Sequence, residues 1–140
     1  VYSLNTILTP WRRLYLSTTF SLSRTRLTTG VNNGAQVVPF EGDVYSVLSS
    51  ATFVLSQSTD WHASYSFSRA DYGQNNFADG LPLGIAYDRH GVLTGFTRRF
   101  KHNLATTLQY GFFRYAEPTA GGANDYTAHA LFATLTKTGI

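Results

Sequence analysis

The stretch Leu14–Arg26, LYLSTTFSLSRTR, alternates between mainly apolar and hydroxyl side chains and then ends in arginine. Alternation with a period of two is typical of a β-strand, whose successive side chains point to opposite faces. We call the even positions here the apolar face and the odd positions the hydroxyl face. Arg24 and Arg26 lie on the apolar face, where its apolar band stops. This order suits a strand that crosses a bilayer, because a lipid-facing arginine costs roughly 2–4 kcal/mol at mid-depth and much less near the interface.

The same pattern occurs twice more, in residues 61–73 with its band ending at Arg69 and in residues 103–115 with its band ending at Arg114. Each band covers about nine residues, which spans about 23 Å at a strand tilt near 40° and matches the apolar belt of a transmembrane barrel. The side chains predicted to face lipid are Leu14, Leu16, Phe20, Leu22, Trp61, Tyr65, Phe67, Leu104, Leu108, Tyr110 and Phe112.

The composition is compatible with a membrane barrel and excludes several other classes. Charged residues make up 14% of the chain, against about 25% in ordinary soluble domains. No apolar run approaches the roughly 20 residues of a membrane-spanning helix. The absence of cysteine excludes disulfides, thiolate metal sites and cysteine nucleophiles. Methionine is absent even at position 1, so we expect the numbering to begin within a mature or truncated chain.

The charges separate into two groups along the chain. The formal net charge is +3, and many of the basic residues fall at one set of chain reversals, whereas most acids fall near the other set. Binding of nucleic acid would need a basic stripe with aromatic residues on one face. The sequence therefore predicts two opposed polar rims and no nucleic-acid partner.

The chain predicts seven long strands in a single domain, residues 1–140, or a fragment of one. Short turns at 9–12, 58–60 and 100–102 alternate with long polar loops at 29–42, 73–82 and 116–124. A β-propeller blade would place four short strands in a similar length, where this chain has two long ones. On the fifth strand we assign Val92, Thr94 and Phe96 to the apolar face, against a competing parity that includes Ile85 and Leu93.

These strands carry arginines at their band ends and aromatic residues nearby, namely Trp11, Tyr45, Trp61, Tyr72 and Tyr115. In these features the chain resembles the C-terminal portion of a bacterial outer-membrane β-barrel of porin type. The resemblance implies an all-β, antiparallel up-and-down transmembrane barrel in the outer membrane, with periplasmic turns, outer loops and a water-accessible lumen.

Two features depart from that resemblance. The chain ends in Ile140, where such barrels end in an aromatic residue, and seven strands is an odd number. Unpaired backbone groups in lipid cost several kcal/mol each. We therefore expect strands upstream, or other subunits, to complete a larger barrel.

The candidate binding residues follow from the two faces. Arg24, Arg26, Arg69 and Arg114, which we call the arginine collar, are expected to contact lipopolysaccharide phosphates, with solvated rim charges as the alternative. The residues predicted to line the lumen are Ser17, Thr19, Ser21, Ser64, Ser66, Ser68, Thr107 and Gln109.

Catalytic and metal sites are not expected. His62 and Ser64 are spaced as in an outer-membrane phospholipase, but they lie on the predicted lumen side and have no Asn or Asp motif around them. His90 and His129 could share a metal, and loop acids such as Asp79 could hold calcium or magnesium, but neither spacing is diagnostic. We therefore expect no cofactor, no resident metal and no enzymatic activity.

Three functions are compatible with this sequence. The first is an outer-membrane channel, or the barrel scaffold of a transport or conduit complex. The second is a small non-transporting barrel used in adhesion or envelope integrity, with a plugged lumen. The third is a soluble, lipocalin-like binding barrel, in which the apolar face would point inward to a ligand.

Overall fold

The computed structural model describes residues 1–27, 40–73 and 84–138. The long loops predicted at 29–42 and 73–82 lie largely outside these residues, as does Asp79. The described chain forms seven β-strands: β1 (Tyr2–Trp11), β2 (Leu14–Leu27), β3 (Phe40–Ser56), β4 (Thr59–Gly73), β5 (Gly84–Phe100), β6 (Leu104–Ala116) and β7 (Tyr126–Lys137). The described residues contain no helix that is both long and apolar enough to cross a membrane.

The strands form one antiparallel sheet in the order β1-β2-β3-β4-β5-β6-β7. Every strand pairs with its neighbours in sequence, which confirms the predicted up-and-down topology. The sheet is not closed into a barrel within the described residues, since β1 and β7 each have only one partner strand. Within the described residues, β1 and β7 therefore each present one backbone edge without a partner strand.

The pairing register places the predicted apolar positions on one side of the sheet. Directly paired residues of an antiparallel sheet point to the same face. One row of paired residues contains Leu14, Phe53, Trp61, Phe96, Leu108 and Ala133, running from β2 to β7. Phe96 shares this row, so the face assigned to Val92, Thr94 and Phe96 is confirmed and the competing parity is wrong.

The first turn differs from its prediction. We predicted a reversal at Thr9–Arg12, but β1 continues to Trp11 and the turn consists of Arg12 and Arg13. Pro10 is tolerated within β1 because β1 has no strand on its other side among the described residues, so the missing N–H does not break a ladder. The pairing of β1 with β2 is irregular between Leu8 and Trp11.

The bounds of the other connections also differ from those predicted. β3 begins at Phe40, four residues before the predicted start, and pairs with the end of β2. The second turn is Gln57–Ser58 and the third is residues 101–103. The third long connection is compact: Pro118–Ala120 form a 3-10 turn, and the hydroxyl of Thr119 accepts a hydrogen bond from the backbone N–H of Ala86 on β5.

No second layer formed by the described residues covers either face of the sheet. Among the described side chains, the only buried hydrophobic residue is Ala70. The apolar face is open, with Leu131 of β7 72% exposed and Phe96 at the centre of the sheet 52% exposed. A soluble sheet of this kind would normally pack one face on a core. This sheet does not build one from its described residues.

The hydroxyl face is the more crowded of the two. Of the residues whose burial is described, five are buried, and all five lie on this face: Gly42, Ala70, Gly91, Gly95 and Gly111. The side chains of His62 on β4 and Gln109 on β6 meet at 2.7 Å across Gly95 of the strand between them. Among the described residues, the hydrogen bonds and ring contacts of side chains on the apolar face lie within one strand or join adjacent strands. We infer that the sheet is curved toward its hydroxyl face.

Candidate lipid-facing band and arginine collar

The predicted lipid-facing residues form one continuous band across β2 to β7. Those of β2, β4 and β6 lie on the same face, and β3, β5 and β7 fill the spaces between them with Val47, Phe53, Val92, Phe96 and Leu131. Polar groups inside the band are paired locally. The indole N–H of Trp61, for example, donates to the Thr94 hydroxyl at 3.0 Å. The band is therefore contiguous and apolar, and it is not covered by protein.

The collar end of the band crosses the sheet at an angle to the rows of paired residues. The row through Arg24 reaches β4 at Asp71, two residues beyond Arg69. The row through Arg69 reaches β6 at Ala116, two residues beyond Arg114. The collar therefore steps by two residues for every two strands crossed.

The short-turn end steps by the same amount. Leu14 directly follows the first turn, but its row reaches β4 at Trp61, three residues beyond the second turn. Thr59 directly follows the second turn, but its row reaches β6 at Thr106, three residues beyond the third turn. The two polar edges of the band are thus parallel to each other.

This step can be converted into an angle. Residues rise about 3.3 Å along a strand, and neighbouring strands lie about 4.8 Å apart. One residue per strand therefore corresponds to a strand tilt of about 35° from the normal to the band edges. Strands of transmembrane barrels are tilted by about 35–45°. The tilt was not visible in the sequence, because it depends on how far paired strands slide past one another.

Three of the four collar arginines are paired with carboxylates on the next strand. Arg24 donates through Nε and Nη2 to both oxygens of Asp43, at 2.9 and 3.0 Å. Arg26 lies 2.8 Å from Glu41, measured from Nε to Oε1. The two arginines and Glu41 are largely exposed and Asp43 is partly exposed, so each pair adds little to stability, but the acids neutralise the charge of the arginines beside them.

The hairpin β4–β5 repeats the arginine–aspartate pair of the hairpin β2–β3, although its two charged groups lie farther apart. Arg69 Nε lies 3.6 Å from Asp88 Oδ1. Arg69 and Asp88 are each 45 residues beyond Arg24 and Asp43, so the repeat is readable in the sequence. The sequence alone does not predict these ion pairs, because the register of the strands decides which acid lies beside each arginine.

Arg114 stands apart from the other collar residues. Its neighbours in the row are His90 on β5 and Thr127 on β7. Among the described residues it forms no salt bridge, whereas the equivalent positions beside Arg24 and Arg69 are aspartates. The collar is therefore charge-compensated at its first two hairpins and cationic at the third.

Two tyrosine–histidine pairs flank the collar, and sequence reasoning missed them. The Tyr65 hydroxyl lies 3.0 Å from His90 Nδ1, and the Tyr110 hydroxyl lies 2.7 Å from His129 Nδ1. Phe67 and Phe112 contact the same imidazole rings, at centroid distances of 4.9 and 5.3 Å. The recurring Tyr-x-Phe-x-Arg pattern, 45 residues apart, is the signal that could have found them.

His90 and His129 do not come together as a metal site. They lie on β5 and β7 with β6 between them, and each is paired with a tyrosine. No group of three or more His, Cys, Asp or Glu side chains within residues 1–27, 40–73 and 84–138 is arranged to hold a metal ion. Glu117, instead of standing loose, accepts hydrogen bonds from Tyr115 and Asn124 in the third connection.

The residues predicted to line a lumen lie together on the hydroxyl face. Hydroxyl pairs join neighbouring strands there, such as Thr97 with Thr107 at 2.9 Å. His62 shares this face with Ser64, but its Nε2 meets the Gln109 amide nitrogen, not the serine. The full predicted set is Ser17, Thr19, Ser21, Ser64, Ser66, Ser68, Thr107 and Gln109.

A ladder of tyrosines also occupies the collar end of the hydroxyl face. Tyr87 on β5, Tyr115 on β6 and Tyr126 on β7 stack with successive centroid distances of 5.5 Å. The sequence placed Tyr115 near a band end but did not indicate the stack, because stacking depends on the register of three strands. The ladder narrows the space above this part of the sheet.

No protein-family model, curated protein or solved structure matches this chain.

Proposed function

We propose that this sheet is part of the wall of an outer-membrane β-barrel that serves as a channel or as the barrel scaffold of a transport or conduit complex. The observation that carries the proposal is the uncovered apolar band with two parallel polar edges, crossed by strands tilted by about 35°. A bilayer is a slab with two parallel interfaces. A soluble ligand pocket gives no reason for the two edges of an apolar band to stay parallel from β2 to β6.

The inferred curvature of the sheet also supports a membrane barrel over a soluble binding barrel. Among the described glycines, Gly91, Gly95 and Gly111 are crowded on the hydroxyl face, and Gly84, where β5 begins, is crowded on the apolar face. From the crowding along the middle of the hydroxyl face and the His62–Gln109 contact, we infer that the apolar band lies on the convex side. A lipocalin-like barrel would carry its apolar residues on the concave side, where the ligand binds. The crowding therefore favours lipid outside and water inside over a soluble binding barrel.

The directions of the two edge strands restrict how such a barrel can be closed. β1 and β7 both run from the collar end toward the short turns, since seven alternating strands separate the two edges by an even number of steps. Copies of this sheet in one membrane orientation would thus meet through parallel pairs. Antiparallel closure takes an odd number of further strands, from the same polypeptide or from a different subunit. Closure by identical seven-stranded units alone is disfavoured.

A second candidate, a non-transporting structural barrel, is favoured by one observation. Phe113 fills the hydroxyl face beside Gly91 and Gly111, and the tyrosine ladder lies one row farther out. Large side chains on the concave face narrow a lumen. The two functions share the same wall and differ in whether ions pass through it.

Reconstitution separates these functions. We expect the chain to require detergent or lipid and, once joined by the strands or subunit that close its barrel, to give stepwise ionic currents in a planar bilayer. Insertion of that closed barrel, with its strands protected from protease but without any current, would favour the structural barrel over the channel. A monomeric chain that stays dissolved in plain buffer, with Leu16 and Leu108 buried, would contradict both.

A further inference from the structure

We propose that the third hairpin, β6–β7, carries a binding site for the phosphate group of a membrane lipid, centred on Arg114. The inference rests on the proposed membrane function and narrows it. Sequence reasoning gave all four collar arginines the same expected contact with lipid phosphates. The structure divides them into three that are paired with carboxylates and one that is not.

The comparison between hairpins shows what the third one lacks. Asp43 and Asp88 occupy the descending-strand positions paired with Arg24 and Arg69. The corresponding partner of Arg114 is Thr127. An anion at this position would supply the charge that a carboxylate supplies in the other two hairpins.

The carboxylates near Arg114 do not replace it: Asp125, two residues before Thr127, accepts a hydrogen bond from the backbone N–H of Glu117 at 2.7 Å. Asp88 on β5 lies diagonally from Arg114, opposite Ala116, but its salt bridge is with Arg69. Directly opposite Arg114 on β5 is His90, which brings no negative charge. Arg114 is exposed, so its guanidinium is accessible to a headgroup at the edge of the apolar band.

Other groups around Arg114 are suited to a phosphate. Thr127 contributes a hydroxyl, and His129 lies one row below on the same face. When the Tyr110 hydroxyl donates to His129 Nδ1, the proton of the imidazole is on Nε2, which then acts as a further donor. Guanidinium, hydroxyl and imidazole donors match the several acceptor oxygens of a phosphate monoester.

The adjoining surface indicates a lipid and not a free anion. Leu131 lies on the same face of β7, two residues from His129, and is 72% exposed. Phe112, in the row below Arg114, continues the apolar band. A phosphate joined to acyl chains would fill both the cationic position and the apolar surface beneath it, whereas inorganic phosphate would fill only the first.

Native mass spectrometry of the chain released from mixed micelles tests this site. The probes are phosphatidic acid, which carries a phosphate monoester, and phosphatidylcholine, which has no net charge. We expect the chain to retain phosphatidic acid about tenfold more strongly. Arg114→Gln should remove most of this preference. Thr127→Asp should remove it as well, because it supplies the carboxylate found in the other hairpins.

Arg24→Gln is the matched control, since it removes a collar arginine that already has an acidic partner and lies in the first hairpin, away from Arg114. It should change the preference by less than about twofold. Equal losses in Arg24→Gln and Arg114→Gln, or an unchanged preference in Thr127→Asp, would overturn the site. Displacement of the lipid by an equal concentration of inorganic phosphate would overturn the assignment to a lipid.

The failure of this site can be told apart from the failure of the membrane function. A chain that enters micelles and bilayers but binds both lipids equally contradicts the site alone. A chain that remains soluble without detergent contradicts the membrane function on which the site depends.

Discussion

Replacing Leu108 with arginine is expected to lower the free energy of folding into lipid vesicles by about 2–4 kcal/mol. Leu108 lies in the middle of the β6 band and is half exposed on the apolar face. An arginine there has no aqueous partner in the membrane, and the side chain is too far from either edge to reach water easily. Leu16→Arg on β2 should behave in the same way. Urea titration of vesicle-inserted protein, followed by tryptophan fluorescence, measures the change.

The neighbouring hydroxyl-face residue provides the control. Ser17 follows Leu16 on β2 but points to the opposite face, toward the expected lumen. Ser17→Arg should change the folding free energy by less than about 1 kcal/mol, because its charge stays in water. Similar losses for Leu16→Arg and Ser17→Arg would show that the two faces meet the same environment.

Gly95→Ala is expected to destabilise the sheet by about 1–3 kcal/mol. A Cβ at this position would meet the carbonyl oxygen of Leu108 and would lie 3.0 Å from the Cα of Gln109. Both obstacles belong to the backbone of β6, so relief requires the two strands to separate. The contact between His62 and Gln109, which passes over Gly95, should be lost too.

Gly91→Ala on the same strand and face is the control for this effect. Its added Cβ would meet the Ser66 hydroxyl at 2.6 Å, and that side chain can rotate away. We expect a loss below about 1 kcal/mol in the same urea titration. A Gly95→Ala protein as stable as Gly91→Ala would contradict the crowding of the hydroxyl face and the curvature drawn from it.

The topology and the two faces could be predicted from the sequence because each strand carries its own period-two signal. Leu14–Arg26 shows its faces without reference to any other strand. The weaker fifth strand could not be assigned in this way alone, since apolar residues such as Leu93 occur on its hydroxyl face as well. Pairing with Trp61 and Leu108 on both sides fixes its parity.

The pairing within the collar could not be predicted, because it depends on register. A shift of two residues between β2 and β3 would leave both faces unchanged but would separate Arg24 from Asp43. The same uncertainty hid the strand tilt and the isolation of Arg114. The first turn was missed for a different reason: Pro10 is a strong turn signal, but it is also tolerated in a strand without a second partner.

The most direct test of the account is the environment of the two faces in a bilayer. The chain contains no cysteine, so single spin labels can be attached at Leu16→Cys and Tyr65→Cys on the apolar face and at Ser17→Cys and Ser64→Cys on the hydroxyl face. In vesicles, we expect oxygen, which partitions into lipid, to relax the first pair most strongly, and a water-soluble nickel chelate to relax the second pair. Preferential relaxation of all four labels by the nickel chelate would contradict a membrane-spanning wall.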